Sequence, residues 1–258
     1  MIEVSRFWRD PALPFVEARR VGDGRQVCYA AHSHESFSIG AITGGRSTYL
    51  SGDSRIEVSA GTTVLMNPGV VHTCNPIEGE AWSYLMLFVD VAWLQRLGFQ
   101  LPAQVVSTSP ALYSALLQVF ADLFDENLRD REARLAAFFQ RLSSVLGGEP
   151  GAPKPDHPRL EAAAAFIRAH RTDPLDLEDI CQACGLSRAY LIRSFRQRFG
   201  LTPHDYLLDQ RVQCARAQLR QGSSIADAAL AAGFADQAHL QRAFKRHLAA
   251  TPGHYRSR

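Results

Sequence analysis

Residues 159–258 contain the same short pattern twice, and this internal repeat constrains the fold more than any other feature of the sequence. A pattern that recurs at a nearly fixed distance indicates one supersecondary unit that has been built twice. The repeated positions are Asp179, Ala183 and Gly185, which recur 48 residues later, and Leu191, Arg193, Thr202, Pro203 and Tyr206, which recur 49 residues later. The sequence therefore predicts a C-terminal domain made of two similar units.

Each copy has the pattern of two helices joined by a tight turn. In the first copy, apolar residues at helical spacing precede Gly185, which can adopt the positive φ that ends a helix, and Ser187 is a suitable N-cap for the next helix. Gly233 and Asp236 take these places in the second copy. The pattern predicts helix-turn-helix units at about residues 175–199 and 223–248, an arrangement that presents its second helix to the DNA major groove.

The second helix of each copy has an apolar face and a basic face. The apolar face, which must pack inward, consists of Leu191, Phe195 and Phe199 in the first copy and of Leu240, Phe244 and Leu248 in the second. The opposite faces carry Arg, Lys, Gln and His among small residues, which suits base edges because Arg can pair with guanine and Gln with adenine. One basic helix face is commonly just solvated, but two at duplicated positions indicate contact with double-stranded DNA.

The charge of the chain changes at a segment rich in proline and glycine. Residues 147–158 contain three Gly and four Pro, which predicts a linker between a first domain at 1–150 and a second at 159–258. Residues 1–155 carry 13 basic and 16 acidic side chains, whereas residues 156–258 carry 15 basic and 10 acidic ones. The positive charge of the second domain favours a polyanionic partner.

The first domain has the pattern of a β structure followed by two helices. Between residues 25 and 90, short apolar or alternating runs are separated by turn residues, which is typical of an antiparallel sandwich or barrel. The predicted strands are Val27–Ala31, Phe37–Thr43, Ser47–Leu50, Arg55–Val58, Thr62–Met66 and Trp82–Val89. Between residues 109 and 146 the apolar spacing becomes helical and predicts two amphipathic helices. We expect these helices to form a homodimer contact or the seam between the domains.

Three histidines mark the mouth of the predicted barrel. His32 and His34 project from the same face if their segment is extended, and His72 follows a predicted turn. Imidazoles gathered in this way can bind a divalent metal ion, hydrogen-bond a small ligand, or serve as satisfied structural groups. We expect His32, His34 and His72 to line an effector pocket together with Trp82 and Tyr84, and we expect that no cofactor is required.

The same stretch resembles the two sequence motifs of the cupin barrels, through HSHESFSIGAITGG and then GTTVLMNPGVVH. The resemblance implies a cupin-like barrel that holds one small ligand. The first cupin motif has a Glu four or five residues beyond its second His, where this chain has Ser38 and Ile39, and Glu35 lies on the opposite face from His34. This departure argues against a full metal site and against a cupin metalloenzyme, such as a dioxygenase or an isomerase, that uses the three histidines as ligands.

The repeat resembles, over its whole length, the DNA-binding domain of the AraC/XylS family of bacterial transcription regulators. LEDICQACGLSRAYLIRSFRQRFGLTPHDYLLDQRVQCARAQL and IADAALAAGFADQAHLQRAFKRHLAATPGHYR carry the resemblance, with both glycine turns and both Thr-Pro-x-x-Tyr tails intact. In that family, two helix-turn-helix units on one rigid domain enter successive major grooves. The resemblance implies base contacts from Ala189, Ile192, Arg193, Gln237, Ala238, His239 and Arg242, phosphate contacts from Arg196, Lys245 and Arg246, and further DNA contacts from Ser187 and Arg188.

Taken together, these patterns predict a transcription regulator and not an enzyme. We expect a cytoplasmic homodimer that binds promoter DNA, responds to a small polar metabolite in the barrel, and activates transcription through RNA polymerase. No apolar run approaches the ~20 residues of a spanning helix, so we expect no membrane contact. Cys181 and Cys184 fall on a buried helix stripe and are expected to pack in the core. An alternative is a constitutive DNA-binding protein whose barrel serves only dimerisation.

Overall fold

The computed structural model describes residues 5–52, 54–146 and 157–256, which form an N-terminal β domain followed by a C-terminal helical domain. This confirms the predicted fold class. Most of the predicted linker, residues 147–156, lies outside the described residues. The strands are β1 (Ser5–Trp8), β2 (Val16–Val21), β3 (Phe37–Gly44), β4 (Arg46–Ser51), β5 (Ser54–Ser59), β6 (Thr63–Met66), β7 (His72–Pro76), β8 (Ser83–Val89) and β9 (Val106–Ser107).

The strands form two antiparallel sheets. The larger sheet has the order β1-β2-β8-β3-β6-β9, and the smaller one has the order β5-β4-β7. Val27–Ala31, which the sequence predicts to be a strand, is irregular instead. Its backbone groups find partners outside a strand ladder: Tyr29 N donates to Asn75 Oδ1 at 2.7 Å, and Ala30 N donates to the Arg246 carbonyl of the helical domain at 2.9 Å. β1 and β2, in contrast, are absent from the sequence prediction.

Three helices belong to the N-terminal domain: α1 (Val91–Arg96), α2 (Pro110–Phe124) and α3 (Arg131–Val145). The apolar faces of α2 and α3 pack on the larger sheet, where Leu116 and Phe139 share one core with Phe37 of β3. The described hydrogen bonds between the domains come from residues 9–33 and not from α2 or α3. The expectation that these helices form the interdomain seam is therefore wrong, because their apolar faces are used within their own domain.

Seven helices form the C-terminal part of the described chain. They are α4 (Pro158–Ala169), α5 (Leu177–Cys184), α6 (Arg188–Phe199), α7 (Pro203–Arg220), α8 (Ile225–Ala231), α9 (Gln237–Leu248) and α10 (Pro252–Arg256). The pairs α5–α6 and α8–α9 are the two repeated units, and α7 joins them. Gly185 ends α5 with φ 65°, and Gly233 follows α8 with φ 79°, a conformation that favours glycine.

The two units have separate cores built from equivalent residues. Leu191 and Phe195 of α6 pack with Cys181 and Cys184 of α5, whereas the equivalent side chains of α9 pack beneath α8. The two cysteines thus lie among apolar neighbours in the first core. No helix within the described ranges is both long and apolar enough to cross a lipid bilayer.

Candidate effector cavity and DNA-binding surface

A cavity of about 50 Å³ lies between the β domain and the helical domain, and residues of both form its wall. The five residues expected to form the pocket, His32, His34, His72, Trp82 and Tyr84, all line this cavity. The sequence reasoning missed further wall residues from both domains: Phe7, Arg19, Tyr29, Ile42, Val64, Met66, Met86 and Phe88 of the β domain, and Arg216, His247 and Leu248 of the helical domain. The wall residues of the β domain come from several strands that the fold brings together, and Arg216, His247 and Leu248 reach the cavity only through the contact between the domains.

The three histidines form one cluster in the wall of the cavity. The ring centroids of His32 and His72 are 4.6 Å apart, those of His34 and His72 are 4.7 Å apart, and those of His32 and His34 are 6.0 Å apart. One nitrogen from each ring lies within 4.8 Å of the other two nitrogens. Glu35 is exposed and lies outside this cluster.

Each imidazole is held by a backbone carbonyl two residues away in the chain. Nδ1 of His32 lies 2.8 Å from the Ala30 carbonyl, Nδ1 of His34 lies 3.2 Å from the Ser36 carbonyl, and Nδ1 of His72 lies 2.9 Å from the Val70 carbonyl. Because a carbonyl oxygen can only accept a hydrogen bond, these contacts favour the tautomer with the proton on Nδ1; Nδ1 of His34 also lies 3.3 Å from the Ser38 hydroxyl. In that tautomer Nε2 is the nitrogen with a free lone pair.

The cluster is uncharged at neutral pH. Burial lowers the pKa of His32 and His34 well below the ordinary value, and the neighbouring His72 lowers both further. Burial also lowers the pKa of His72. The cavity wall thus presents three neutral imidazoles.

Arg19 supplies a buried positive charge beside the histidines. It lies on β2, is 3% exposed, and donates through Nη1 to the Tyr29 hydroxyl at 2.8 Å and to the Leu248 carbonyl of the helical domain at 2.7 Å. Its Nη2 atom is buried and has no hydrogen-bond partner among the described residues. The Tyr29 hydroxyl also bonds the hydroxyl of Tyr84, whose ring stacks on Trp82 with centroids 4.6 Å apart.

A buried ion cluster beside the cavity joins the domains. Glu17 of β2 accepts hydrogen bonds from Arg9 Nε at 2.7 Å, from Tyr255 Oη at 2.8 Å and from Arg216 Nη2 at 3.1 Å. Burial raises the pKa of Glu17, but the charges of Arg216 and Arg9 outweigh burial and hold it below the ordinary value. The carboxylate is therefore ionised, and it links the β domain to α7 and α10.

A second interdomain contact passes directly between two of the histidines. Ser33 donates through Oγ to Asp209 Oδ2 of α7 at 2.6 Å, and its carbonyl accepts from Gln213 Nε2 at 2.7 Å. Asp209 is fully buried, and its Oδ1 lies 3.4 Å from Nδ1 of His247. The residue between His32 and His34 is therefore one of the points at which α7 docks on the β domain.

The predicted DNA-contacting residues lie on the outer faces of α6 and α9. Ser187, Arg188, Ala189, Ile192, Arg193, Arg196, Gln237, Ala238, Arg242, Lys245 and Arg246 are exposed, and His239 is half-buried. The apolar side chain of Ile192 is 40% exposed, which suits contact with a partner surface. Ser187 is the N-cap residue of α6 but its side chain makes no cap hydrogen bond, whereas Asp236 accepts from His239 N at 2.6 Å.

Comparison with known families covers both domains. The family described as AraC-like ligand binding domain matches residues 15–143, and the family described as helix-turn-helix domain matches residues 180–258. The chain is 27% identical to YbfI of Bacillus subtilis, an uncharacterised HTH-type transcriptional regulator, over 90% of this chain and 87% of that protein. It is 34% identical to the HTH-type transcriptional regulator MtrA of Neisseria gonorrhoeae over 58% of this chain and 46% of that protein.

The two-domain fold also resembles a solved structure. ToxT from Vibrio cholerae, determined with an unsaturated fatty acid bound, aligns with a TM-score of 0.60 over 89% of each chain, at 15% sequence identity. At that identity the likeness concerns the fold. The matched families and the curated relatives are transcription regulators and not enzymes, as the duplicated basic domain predicts.

Proposed function

The chain belongs to the AraC family of transcriptional regulators, and from this premise we propose that a small polar molecule in the interdomain cavity controls its activity on DNA. It is a DNA-binding regulator with a ligand-binding domain. We further propose that it acts in the cytoplasm as a homodimer formed through α2 and α3. In this proposal it activates transcription through RNA polymerase.

The observation that carries this proposal is that α9 contains residues of both predicted sites. Its exposed face holds Gln237, Ala238 and Arg242, which are predicted to contact bases, while His247 and Leu248 in its last turn line the cavity. A helix of this length moves as one rigid element. In this proposal a ligand that contacts the last turn loses those contacts when the domains separate, and such a difference in affinity is the condition for switching.

The cavity favours a small effector that carries a polar group facing Arg19. Its volume of about 50 Å³ has room for roughly three to five water-sized groups, at 10–15 Å³ each. The unpartnered Nη2 of Arg19 offers a charge-assisted hydrogen bond to a carboxylate or hydroxyl oxygen of such a ligand. ToxT was solved with a fatty acid, which supports binding of a small molecule in this fold, but this cavity is suited to a smaller one.

The test begins with selection of binding sites from random duplex DNA by the purified full-length protein. We expect two recognition elements about 10 bp apart, since α6 and α9 would enter successive major grooves. Affinity for the selected site is then measured against a panel of small sugars, amino acids and carboxylic acids. At least one compound should change the affinity by about fivefold or more, which is the lower range of allosteric coupling.

A matched pair of variants separates the cavity from the general charge of β2. Arg19→Gln removes the buried guanidinium, whereas Arg20→Gln removes an exposed one from the adjacent position. We expect the first variant to lose the response to the active compound and the second to keep it, with DNA binding retained in both. A protein that binds its site tightly but responds to no compound would instead be a constitutive DNA-binding protein whose β domain only dimerises.

A further inference from the structure

Helix α6 carries a tyrosine whose ring lies largely outside the core of the first unit. Tyr190 is in the first turn of α6 and is 38% exposed, whereas the adjacent Leu191 is fully buried. The equivalent residue of the second unit is His239, which is half-buried and packs edge-to-face on Phe234 with ring centroids 5.1 Å apart. The two copies thus use this position differently, and the side chain of Tyr190 is available for contacts outside the core.

The hydroxyl of Tyr190 is held by the residue that caps α4. Nε2 of His157 lies 3.1 Å from Tyr190 Oη, while Nδ1 of the same ring accepts a hydrogen bond from Leu160 N at 3.4 Å. A neutral imidazole has one donor nitrogen and one acceptor nitrogen. Because Nδ1 is the acceptor, Nε2 donates to Tyr190 Oη, and the hydrogen of the tyrosine hydroxyl is available for a partner on DNA.

The first turn of α4 is itself fixed against the first unit. Arg159 donates through Nη1 to the carbonyl of Gly185, the residue that ends α5, at 3.4 Å. Arg198 of α6 donates through Nη2 to Glu161 of α4 at 2.7 Å. His157 therefore has a defined position relative to α6, although it directly follows the segment 147–156.

The ring of Tyr190 also lies beside a guanidinium that is predicted to contact a base. Arg193 follows Tyr190 by three residues on α6, so the two side chains are neighbours on the helix surface. The guanidinium carbon of Arg193 lies 5.9 Å from the centroid of the Tyr190 ring, within the range of a cation–π contact. Such a contact restrains a long exposed side chain, and the restraint reduces the entropy that Arg193 loses when it binds a base.

An exposed tyrosine hydroxyl beside base-contacting residues suits a phosphate oxygen. Tyrosine is one of the side chains that donate to DNA phosphates, and these contacts fix the orientation of a protein on the duplex. The hydroxyl is neutral and displaces no counterion from DNA. Loss of this contact should therefore weaken binding without changing its salt dependence, unlike the loss of a lysine.

We propose that Tyr190, oriented by His157, donates from Oη to a DNA phosphate and positions Arg193 for base recognition by the first unit. The proposal rests on the proposed function, in which α6 enters a major groove. It gives roles in DNA recognition to two residues outside the predicted set of DNA contacts.

Three variants separate the hydroxyl of Tyr190 from its ring. Affinity is measured on the duplex that the wild type selects and on duplexes with single base changes. Tyr190→Phe should weaken binding to all of them by roughly 3–10-fold, as for the loss of one hydrogen bond, and should keep the base preferences because the ring remains. Tyr190→Leu should also lower discrimination by about 2–5-fold at one base position, the position at which Arg193→Ala loses its preference.

Two variants act as controls for these effects. Tyr113→Phe removes a hydroxyl that bonds the Ile42 carbonyl within the β domain, so it should bind DNA like the wild type. His157→Asn keeps a favoured N-cap residue but removes the ring that reaches Tyr190. It should weaken DNA binding in the wild-type background and have no further effect in Tyr190→Phe, where no hydroxyl remains to be oriented.

The phosphate contact is tested by replacing single phosphates of the first recognition element with neutral methylphosphonates. At one phosphate, the loss of affinity should be about 3-fold or more smaller in Tyr190→Phe than in the wild type, because the two changes remove the same contact. Additive effects at every phosphate would overturn the phosphate contact, and unchanged base preferences in Tyr190→Leu would overturn the positioning role. A wild-type protein that selects no DNA site would instead refute the proposed function itself.

Discussion

Replacing Glu17 with Ala should uncouple the two domains. Glu17 is 1% exposed and accepts hydrogen bonds from Arg9 in its own domain and from Arg216 and Tyr255 of the helical domain. Loss of the carboxylate leaves Arg216, which is 12% exposed, without its negative partner. Breaking a buried pair from one side typically costs about 3–5 kcal/mol, because a charge remains desolvated and uncompensated.

The interdomain part of this cost can be measured with a double-mutant cycle. Glu17→Ala, Arg216→Met and the double variant are compared with the wild type by urea unfolding. We expect a coupling free energy of about 2 kcal/mol, within the range of about 0.5–3 kcal/mol for residues in one network. Glu57→Ala is the matched control, since Glu57 pairs with Arg46 at the surface and is 54% exposed, so its loss should cost at most about 1 kcal/mol.

The chain provides two optical probes that distinguish the domains. Trp8, Trp82 and Trp93 all lie in the N-terminal domain, so tryptophan fluorescence follows that domain, whereas far-ultraviolet circular dichroism is dominated by the helices. The two transitions should coincide in the wild type and separate in Glu17→Ala, because independent domains no longer unfold together. A coupling free energy near zero, with coincident transitions in every variant, would refute the role of Glu17 as an interdomain link.

Three further predictions concern pH, DNA contact and the turn glycines. Burial raises the pKa of Glu17, but its two arginine partners outweigh burial and hold the folded-state pKa below the ordinary value of 4.5. The stability that Glu17 contributes is therefore present above pH 4.5 and should be lost as the pH falls below that value. The urea midpoint of a Glu17→Gln protein should lack this decrease at acidic pH. Arg242→Ala should reduce the free energy of DNA binding by about 1–3 kcal/mol and relax specificity at one base position. Lys245→Ala should weaken binding to all DNA sequences alike. Equal effects of the two variants in a binding-site selection would contradict the assignment. Gly185→Ala should lower the free energy of unfolding by about 1–2 kcal/mol through the positive φ alone, since no atom lies within 4 Å of the added Cβ. Gly233→Ala should lower it more, because its Cβ would lie 2.8 Å from a backbone carbonyl oxygen. Similar thermal midpoints for the two variants would contradict this ranking.

The sequence predicted the helical domain well because its information is local and duplicated. The glycine turns and the apolar faces recur at equivalent positions, so each copy supports the interpretation of the other. Gly185 and Gly233 do adopt positive φ, and Leu191 and Leu240 are fully buried in their respective cores.

The cavity was only partly predictable, since its wall depends on contacts between distant segments. His32, His34 and His72 were identifiable from their spacing, but Arg19 and Arg216 carry no local signal of burial. Charged residues of this type are almost never fully buried unless they are paired. Each of the two has a partner across the domain boundary, the Leu248 carbonyl for Arg19 and Glu17 for Arg216. Val27–Ala31 was assigned wrongly for a related reason: its β-like composition serves an extended segment that bonds to the helical domain and not to a neighbouring strand.

The chemistry of the seam explains how one small molecule can control it. Glu17 with Arg216 and Ser33 with Asp209 are polar contacts, and buried ion pairs contribute little net stability because the charges regain hydration when they separate. Loss of any single partner should therefore weaken the docked arrangement, whereas these polar contacts themselves add little net free energy to docking. A ligand that favours one arrangement by a few kcal/mol is then sufficient to shift the population, since about 5.5 kcal/mol reverses a 1:99 ratio.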